Sequence, residues 1–159
     1  MDDLRVGLGY DIHRLRVGRR LVLGGVEVPS ARGLVGHSDG DVLTHAIMDA
    51  LLGAAGLADI GTHFPPTDPA YKDASSLGLL EQVVRILAGA GWKPHQVSAV
   101  LVAERPRLAP HVAEMRSHLA GVLGLPADAV GIQVTTNEGL GALGRGEGIA
   151  AWATVLVRR

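Results

Sequence analysis

The sequence lacks cysteine and is poor in aromatic residues, and each shortage excludes a class of protein. Without cysteine the chain forms no disulfide bond, has no thiolate nucleophile and builds no zinc finger. A metal ion would have to be held by carboxylates and by the seven histidines. Aromatic residues make up 3% of the chain, which argues against stacking platforms for nucleic-acid bases.

An excess of one charge and long apolar runs are missing as well. The formal net charge is -1, so the chain has no general attraction to nucleic acids or anionic membranes. No apolar run reaches about 18 residues, and residues 1–15 are not a basic segment followed by an apolar one. We expect a cytoplasmic protein with no membrane or nucleic-acid partner. The 47% of hydrophobic residues suits one globular domain over residues 1–159.

The clearest helix signal lies in residues 37–69. Short polar residues open this stretch, and apolar residues then recur at spacings of three and four over 42–54. Ser38 or Asp39 is predicted to cap the helix, and Asp41 suits the positive end of its dipole.

His45 is the one imidazole in this predicted helix. It lies four residues after Asp41 and four before Asp49, which places all three on one helix face. A histidine flanked by carboxylates can be a metal ligand whose ring a carboxylate orients. The alternative is a half-buried core histidine paired with an acid.

A second ligand pair lies near the start of the chain. Residues 4–13 alternate between apolar and other side chains, which is the period of a β-strand, so Asp11 and His13 project from one face. With His45 they match the ligand count of a catalytic zinc site with an open fourth position. Polar decoration of an exposed strand face is the alternative, because an aspartate two residues before a histidine is a common pattern.

The remaining patterns predict an α/β or α+β sandwich, with helices on one face of a mixed sheet and the other face buried by further subunits. Glycines crowd residues 139–148 and let backbone amides approach an anion or another chain, although they form no nucleotide-binding fingerprint. The predicted elements are a hairpin over 20–28, loops over 29–36, 58–61 and 65–69, helices over 75–90 and 110–123, and strands over 95–103, 130–136 and 149–157.

Six stretches carry a family resemblance. They are GYDIHRL at 9–15, HSDGDVLTH at 37–45, LADIGTHFP at 57–65, AERPRLAPH at 103–111, VTTNEGLG at 134–141 and GRGEGIA at 144–150. With these stretches the sequence resembles the 2-C-methyl-D-erythritol 2,4-cyclodiphosphate synthase family of non-mevalonate isoprenoid biosynthesis, nearly from end to end. The resemblance implies a homotrimer with active sites between neighbouring subunits.

The implied activity is that of a CMP-releasing phosphorus–oxygen lyase. In 4-diphosphocytidyl-2-C-methyl-D-erythritol 2-phosphate, the 2-phosphate attacks the β-phosphorus, CMP leaves and the 2,4-cyclodiphosphate forms. By the resemblance Asp11, His13 and His45 match the Zn²⁺ ligands, which agrees with the spacing argument. Glu138 matches a residue that reaches a second divalent ion, Mg²⁺ or Mn²⁺, carried mainly by substrate phosphates.

The resemblance also implies a set of substrate contacts. His37, which we count with the catalytic residues, and Ser38 match a flap over the 2-phosphate. The matches for the methylerythritol pocket are Asp59, Ile60, Gly61, Phe64, Pro65, Pro66, Thr67 and Asp68. Those for the cytidine side are Ala103, Pro106, Arg107, Leu108, Ala109, Thr135, Thr136 and Asn137. Those near the trimer axis are Ala142, Arg145 and Glu147.

Several residues depart from the family pattern. Pro66 stands where many members carry Asp, which leaves the diol contact to the backbone and to Asp59. Gly139 and Ala142 replace a Lys of some members and a frequent Phe, and they bring axial binding of an isoprenoid diphosphate into question. Two other functional classes stay as alternatives: a zinc hydrolase that ionises water, and a trimeric binding module with a structural metal.

Overall fold

A five-stranded mixed sheet carries the main helices of this protein on one face. The computed structural model describes residues 3–159. The sheet order is β4-β1-β7-β5-β6, with β5 and β6 parallel and the other pairs antiparallel, and β2 and β3 form a separate hairpin. The strands are β1 (Leu4–Val17), β2 (Leu21–Leu23), β3 (Val26–Val28), β4 (Arg32–Leu34), β5 (Lys93–Val102), β6 (Val130–Thr135) and β7 (Gly148–Arg158).

The helices belong to two classes, long ones that cover the sheet and single turns that shape loops. No helix within residues 3–159 has the length and apolarity to cross a membrane. They are α1 (Val42–Ala54), α2 (Ile60–His63), α3 (Ser76–Gly89), α4 (Val112–Leu123) and α5 (Gly141–Gly144), with 3-10 turns at Pro69–Tyr71, Ala109–His111 and Ala127–Ala129.

Two glycines of β1 bring α1 into direct contact with the strand. A Cβ atom at Gly7 or Gly9 would lie 1.9 Å from the carbonyl oxygen of Ala50 or Ala46, respectively. No side chain fits in that space, so the helix backbone rests on the strand backbone. This contact sets His45 of α1 opposite the odd-numbered side chains of β1.

The other face of β1 is apolar and uncovered in the single chain. Its side chains alternate as predicted, but the apolar set points away from the helices and the glycines point toward them. We call this surface the outer sheet face. It consists of Leu4, Val6, Leu8, Tyr10, Ile12 and, from β7, Trp152, which are between 40% and 70% exposed.

Most predicted elements are confirmed to within a few residues. The hairpin about Gly24 and Gly25, the helix capped by Ser75, and the strands and helix of the second half are all present. The mixed sheet with helices confirms the predicted fold class in its coarse form.

Three predictions of local structure were wrong. The residue that caps α1 is Asp41, whose carboxylate accepts from the Thr44 amide, rather than Ser38 or Asp39. The predicted loop over 29–36 contains β4, and the loop over 58–61 runs into α2. The glycine-rich segment, for which no element was predicted, contains α5. Edge pairing and single helical turns depend on neighbouring segments, which local patterns do not show.

Candidate metal centre and adjoining cavities

Three ligand atoms from two elements converge at one point. The Asp11 Oδ2 atom of β1 lies 2.8 Å from His13 Nε2 and 2.9 Å from Nδ1 of His45, which α1 carries. The two imidazole nitrogens are 3.2 Å apart. The cluster predicted from spacing is therefore assembled, with one oxygen and two nitrogens that could hold a metal ion.

Hydrogen bonds on the far side of each ring decide which nitrogen faces the cluster. His13 Nδ1 donates to the carbonyl oxygen of Val35 at 2.6 Å. His45 Nε2 lies 2.9 Å from Ser76 Oγ and 3.0 Å from Ser38 Oγ. Because these outer nitrogens carry the protons, the inner nitrogens present lone pairs to the cluster.

Asp39 binds Ser76, the hydrogen-bond partner of His45. Its carboxylate accepts from the Ser76 hydroxyl and, at 2.9 Å, from the Ser76 amide. Since the Ser76 proton is committed to Asp39, the Ser76 oxygen accepts from His45. Two lone pairs and a carboxylate oxygen that meet without a shared proton suit a cation, so the residues fit the metal that the sequence implied.

Without a metal, protons take the place of the cation. Burial raises the pKa of Asp11, but hydrogen bonds from His13 and His45 outweigh it and lower this pKa to about 2. Burial lowers the pKa of His13, but the hydrogen bond and charge of Asp11 raise it above its ordinary value. The cluster therefore keeps an ionised carboxylate across the neutral range.

The expectation that Asp41 or Asp49 orients His45 was wrong. The Asp41 carboxylate accepts from the amides of Gly24 at 2.9 Å and Gly25 at 2.8 Å, and so joins the hairpin to the start of α1. Asp49 accepts from the Ile60 amide at 2.9 Å. Ser76, the partner that His45 does have, lies 31 residues away, and no local pattern marks it.

An apolar cavity of about 250 Å³ adjoins the centre. Predicted site residues supply much of its lining, and apolar residues that the sequence did not single out supply the rest. The lining consists of Asp11, His13, His37, Ser38, His45, Met48, Ile60, Gly61, Phe64, Pro66, Tyr71 and Leu79.

Two carboxylates predicted for this pocket cap local turns instead of lining the cavity. Asp59 accepts from the amide and the hydroxyl of Thr62, both at 2.9 Å, and Asp68 accepts from the Ala70 amide at 2.9 Å. Pro65 and Thr67 also lie outside the lining. Short polar side chains before a helical turn accept hydrogen bonds from its free amides, and both carboxylates have this role in the single chain.

Backbone contacts hold the segment that carries His37 and Ser38. The Arg19 guanidinium donates to the carbonyl oxygens of Gly36 at 3.3 Å and Ser38 at 3.5 Å. The Asp73 amide donates to the His37 carbonyl oxygen at 2.8 Å. The predicted flap is thus anchored on both sides in this structure.

A larger cavity of about 690 Å³ lies at the ends of β5 and β6. Every predicted cytidine-side residue from Ala103 to Thr136 lines it, and Asn137 alone does not. Residues that the sequence did not single out complete the wall. The lining consists of Leu15, Ser30, Ala31, Arg32, Ala103, Glu104, Arg105, Pro106, Arg107, Leu108, Ala109, Val134, Thr135 and Thr136.

The remaining predicted residues lie outside both cavities. Glu138 is exposed, two residues beyond Thr136 of the larger cavity's lining, in a left-handed backbone conformation with φ of 53°. Arg145 forms an exposed ion pair with Glu147 at 2.8 Å, and Ala142 is exposed as well. In one copy of the chain these residues do not meet the metal centre.

Comparison with known proteins points in one direction. The model of the YgbB family matches residues 4–158. The chain is 58% identical to the 2-C-methyl-D-erythritol 2,4-cyclodiphosphate synthase of Gloeobacter violaceus, over 98% of this chain and 95% of that one. It is 59% identical to the synthase of the same name from Symbiobacterium thermophilum, over 96% and 97% of the two chains.

Solved structures of related proteins match this chain as well. The bifunctional IspDF of Campylobacter jejuni matches with a TM-score of 0.95 and 37% identity, over 99% of this chain and 43% of that one. A 2C-methyl-D-erythritol-2,4-cyclodiphosphate synthase described as a CDP-bound form matches with a TM-score of 0.89 and 42% identity, over 96% and 99%.

Proposed function

Because this chain belongs to the YgbB family, we propose that it performs the reaction for which its relatives are named, the synthesis of 2-C-methyl-D-erythritol 2,4-cyclodiphosphate. In that reaction a 2-phosphate oxygen of the diphosphocytidyl substrate forms a bond to the β-phosphorus. The bond from that phosphorus to the bridging oxygen breaks, and CMP leaves with the bonding electrons. The observation that carries the proposal is the convergence of Asp11, His13 and His45 at one end of an apolar cavity.

The three ligands would hold Zn²⁺, because two imidazoles and one carboxylate with an open position are the donor set of catalytic zinc. A zinc ion bound there supplies a Lewis acid that withdraws charge from a phosphoryl oxygen. The chain itself contributes the direction of the ligands. His13 is held by Val35 and His45 by Ser76, so both rings are already oriented before an ion arrives.

The chain's own groups favour phosphoryl transfer within the substrate over hydrolysis by water. A phosphate nucleophile is already ionised at neutral pH and needs no general base. Asp11, the carboxylate at the centre, would be a metal ligand and so would not be free to act as a general base for water. Apolar side chains such as Phe64 and Leu79 line the cavity and would exclude water from the methylerythritol side.

The larger cavity is our candidate for the cytidine diphosphate part of the substrate. Its volume of about 690 Å³ lies within the range of small-molecule sites. Arg107 supplies a cation for phosphate, and Thr135 and Thr136 supply hydroxyls. The CDP-bound relative supports a nucleotide ligand. We assign Glu138, at the edge of this cavity, to a second divalent ion that the substrate phosphates carry.

We also propose that the chain assembles as a homotrimer through the outer sheet face. Contiguous exposed apolar surface of this kind marks an interface in soluble proteins. Leu8 is 70% exposed and Val6 66%, although both belong to the part of β1 that pairs with β7, the middle strand of the sheet. Assembly would cover these side chains and would bring residues of neighbouring copies to each metal centre.

Phosphorus NMR on the zinc-loaded protein tests the proposed reaction. The protein is incubated with the diphosphocytidyl 2-phosphate substrate and Mg²⁺, and metal-stripped protein serves as the control. We expect CMP and a cyclic diphosphate in equal amounts. CMP with a linear diphosphate would make water the nucleophile and favour a hydrolase, and bound substrate without turnover would favour a binding module.

A further inference from the structure

Glu138 occupies a backbone conformation that its neighbours must maintain. Its φ of 53° lies in the left-handed region, which residues with a side chain rarely adopt. Gly139 follows with φ of 73°. The Glu138 side chain is exposed and, within residues 3–159, makes no ion pair, so the backbone conformation is what sets the position from which this side chain extends.

A single carboxylate oxygen fastens this loop on both sides of Glu138. Glu104 Oε1 accepts from the Asn137 amide at 2.9 Å and from the Gly139 amide at 3.2 Å. Backbone amides around a left-handed residue form a concave site for an anion, and here the anion belongs to the same chain. The contact joins two segments that are 33 residues apart in sequence.

The end of the sheet sets the position of Glu104 itself. The Ala103 amide donates to the Thr135 carbonyl oxygen at 3.0 Å, which continues the pairing of β5 with β6 by one residue. Glu104 therefore begins from a fixed backbone position and reaches across to the loop that follows β6. Because its Oε1 atom is used for the two amides, the carboxylate is committed to the loop.

From this geometry we propose that Glu104 is a positioning residue for Glu138. The Glu104 carboxylate stabilises the left-handed turn, and the turn aims the Glu138 carboxylate toward the edge of the larger cavity. The inference rests on the proposed function in one respect, the assignment of Glu138 to the second divalent ion. Without Glu104, the turn relaxes toward ordinary right-handed backbone and the Glu138 carboxylate swings away from that edge.

Three single variants and one double variant, Glu104→Leu with Glu138→Gln, test the proposal. Glu104→Leu removes the acceptor at similar volume, Glu104→Gln keeps an oxygen that can accept from both amides, and Glu138→Gln is the reference. Mn²⁺ binding in the presence of CDP is measured by electron paramagnetic resonance, and turnover is measured over a range of Mg²⁺ concentrations. Zinc content serves as the control for the intact metal centre.

We expect Glu104→Leu to raise the Mn²⁺ dissociation constant and the Mg²⁺ concentration for half-maximal turnover by about tenfold or more, with zinc content unchanged. Saturating Mg²⁺ should restore most of its maximal rate. Glu104→Gln should stay within about threefold of the unaltered protein, because the two acceptor contacts survive without the charge. The double variant Glu104→Leu, Glu138→Gln should be no worse than Glu138→Gln alone, since Glu104 acts through Glu138.

Two outcomes would overturn the inference. The first is Glu138→Gln losing Mn²⁺ binding while Glu104→Leu binds it normally. The second is a double variant in which the two losses add, because Glu104 would then contact the ligand directly. Unchanged Mn²⁺ binding and turnover in Glu138→Gln itself would instead remove the proposed role of Glu138, so the two failures can be told apart.

Discussion

The metal centre and the Glu138 loop hold their functional side chains in different ways: regular structure supports the first, and a loop supports the second. The metal centre sits on a strand and a long helix, and its His45 side chain is 9% exposed. Each of its rings has an outer hydrogen-bond partner. Glu138 is exposed on a loop, and one distant carboxylate holds the two amides beside it.

The difference matches the work that we assign to each site. An ion that stays bound through many reactions needs ligands fixed before it arrives, and regular structure provides them at little further entropic cost. An ion that arrives with the substrate phosphates needs a ligand that can adjust, and a loop provides one. Variants that disturb one of these sites and leave the other intact test this contrast.

Replacing His45 should abolish both metal binding and turnover. We expect His45→Ala to lose stoichiometric zinc and to lower turnover by about three orders of magnitude, because it removes one of three ligands and the Lewis acid with them. Metal analysis and CMP release measure the two effects. His118→Ala, which changes a histidine on α4, is the matched control and should keep both properties. A His45→Ala protein with normal zinc would contradict the assigned centre.

Replacing Glu138 should lower turnover without affecting zinc binding. We expect Glu138→Gln to retain one zinc per chain and to lose turnover by about a hundredfold, because only the ion carried by substrate loses a charged ligand. The same metal analysis and CMP assay apply. Full activity in this variant would count against a role for Glu138, and zinc loss would show that the two sites are not independent.

Replacing Ser76 should weaken the metal centre without removing a ligand. We expect Ser76→Ala to lower zinc affinity by about 10- to 100-fold, measured by competition with a chelator, because His45 loses an acceptor that orients its ring. Ser75→Ala is the control. Ser75 caps α3, so this change should cost about 1 kcal/mol of unfolding free energy and leave zinc affinity unchanged. Equal zinc affinity in the two variants would contradict the orienting role.

The smallest expected effect is a change of stability with pH in the metal-free protein. The raised pKa of His13 contributes stability that is complete below 6.5 and lost as pH rises through the raised value. The pKa of Asp11, lowered from 3.8 to about 2, contributes stability that is present above 3.8 and lost as pH falls toward 2. Unfolding by urea should therefore show a His13- and Asp11-dependent maximum between these limits, and Asp11→Asn should remove it.

The sequence revealed the parts of the site that follow from short-range periodicity. Asp11 and His13 share a face because strand side chains alternate, and His45 lies on a helix with a clear apolar pattern. The partners that orient or brace these groups were missed. Ser76 meets His45 across 31 residues, and Glu104 meets Asn137 across 33, distances over which the sequence shows no period.

The orientation of β1 was also beyond local reasoning. Its alternation identifies two faces but not which one the helices cover. Here the face with Gly7 and Gly9 is covered, because the helix backbone approaches closely only where side chains are absent. An apolar-inside rule applied to Leu4–Val17 alone would have placed the helices on the wrong side.

The pairing of β1 with β7 has a consequence for synthesis on the ribosome. Leu4 pairs with Arg158 and Arg14 with Gly148, so the strand that carries Asp11 and His13 pairs with a segment that is translated long after it. Until residues 148–158 emerge from the exit tunnel, this strand has no neighbour on that edge. Pairings between distant segments form slowly. The two ligands on β1 are therefore translated well before the strand that fixes their position in the sheet, and we expect the centre to form only after that strand has been made.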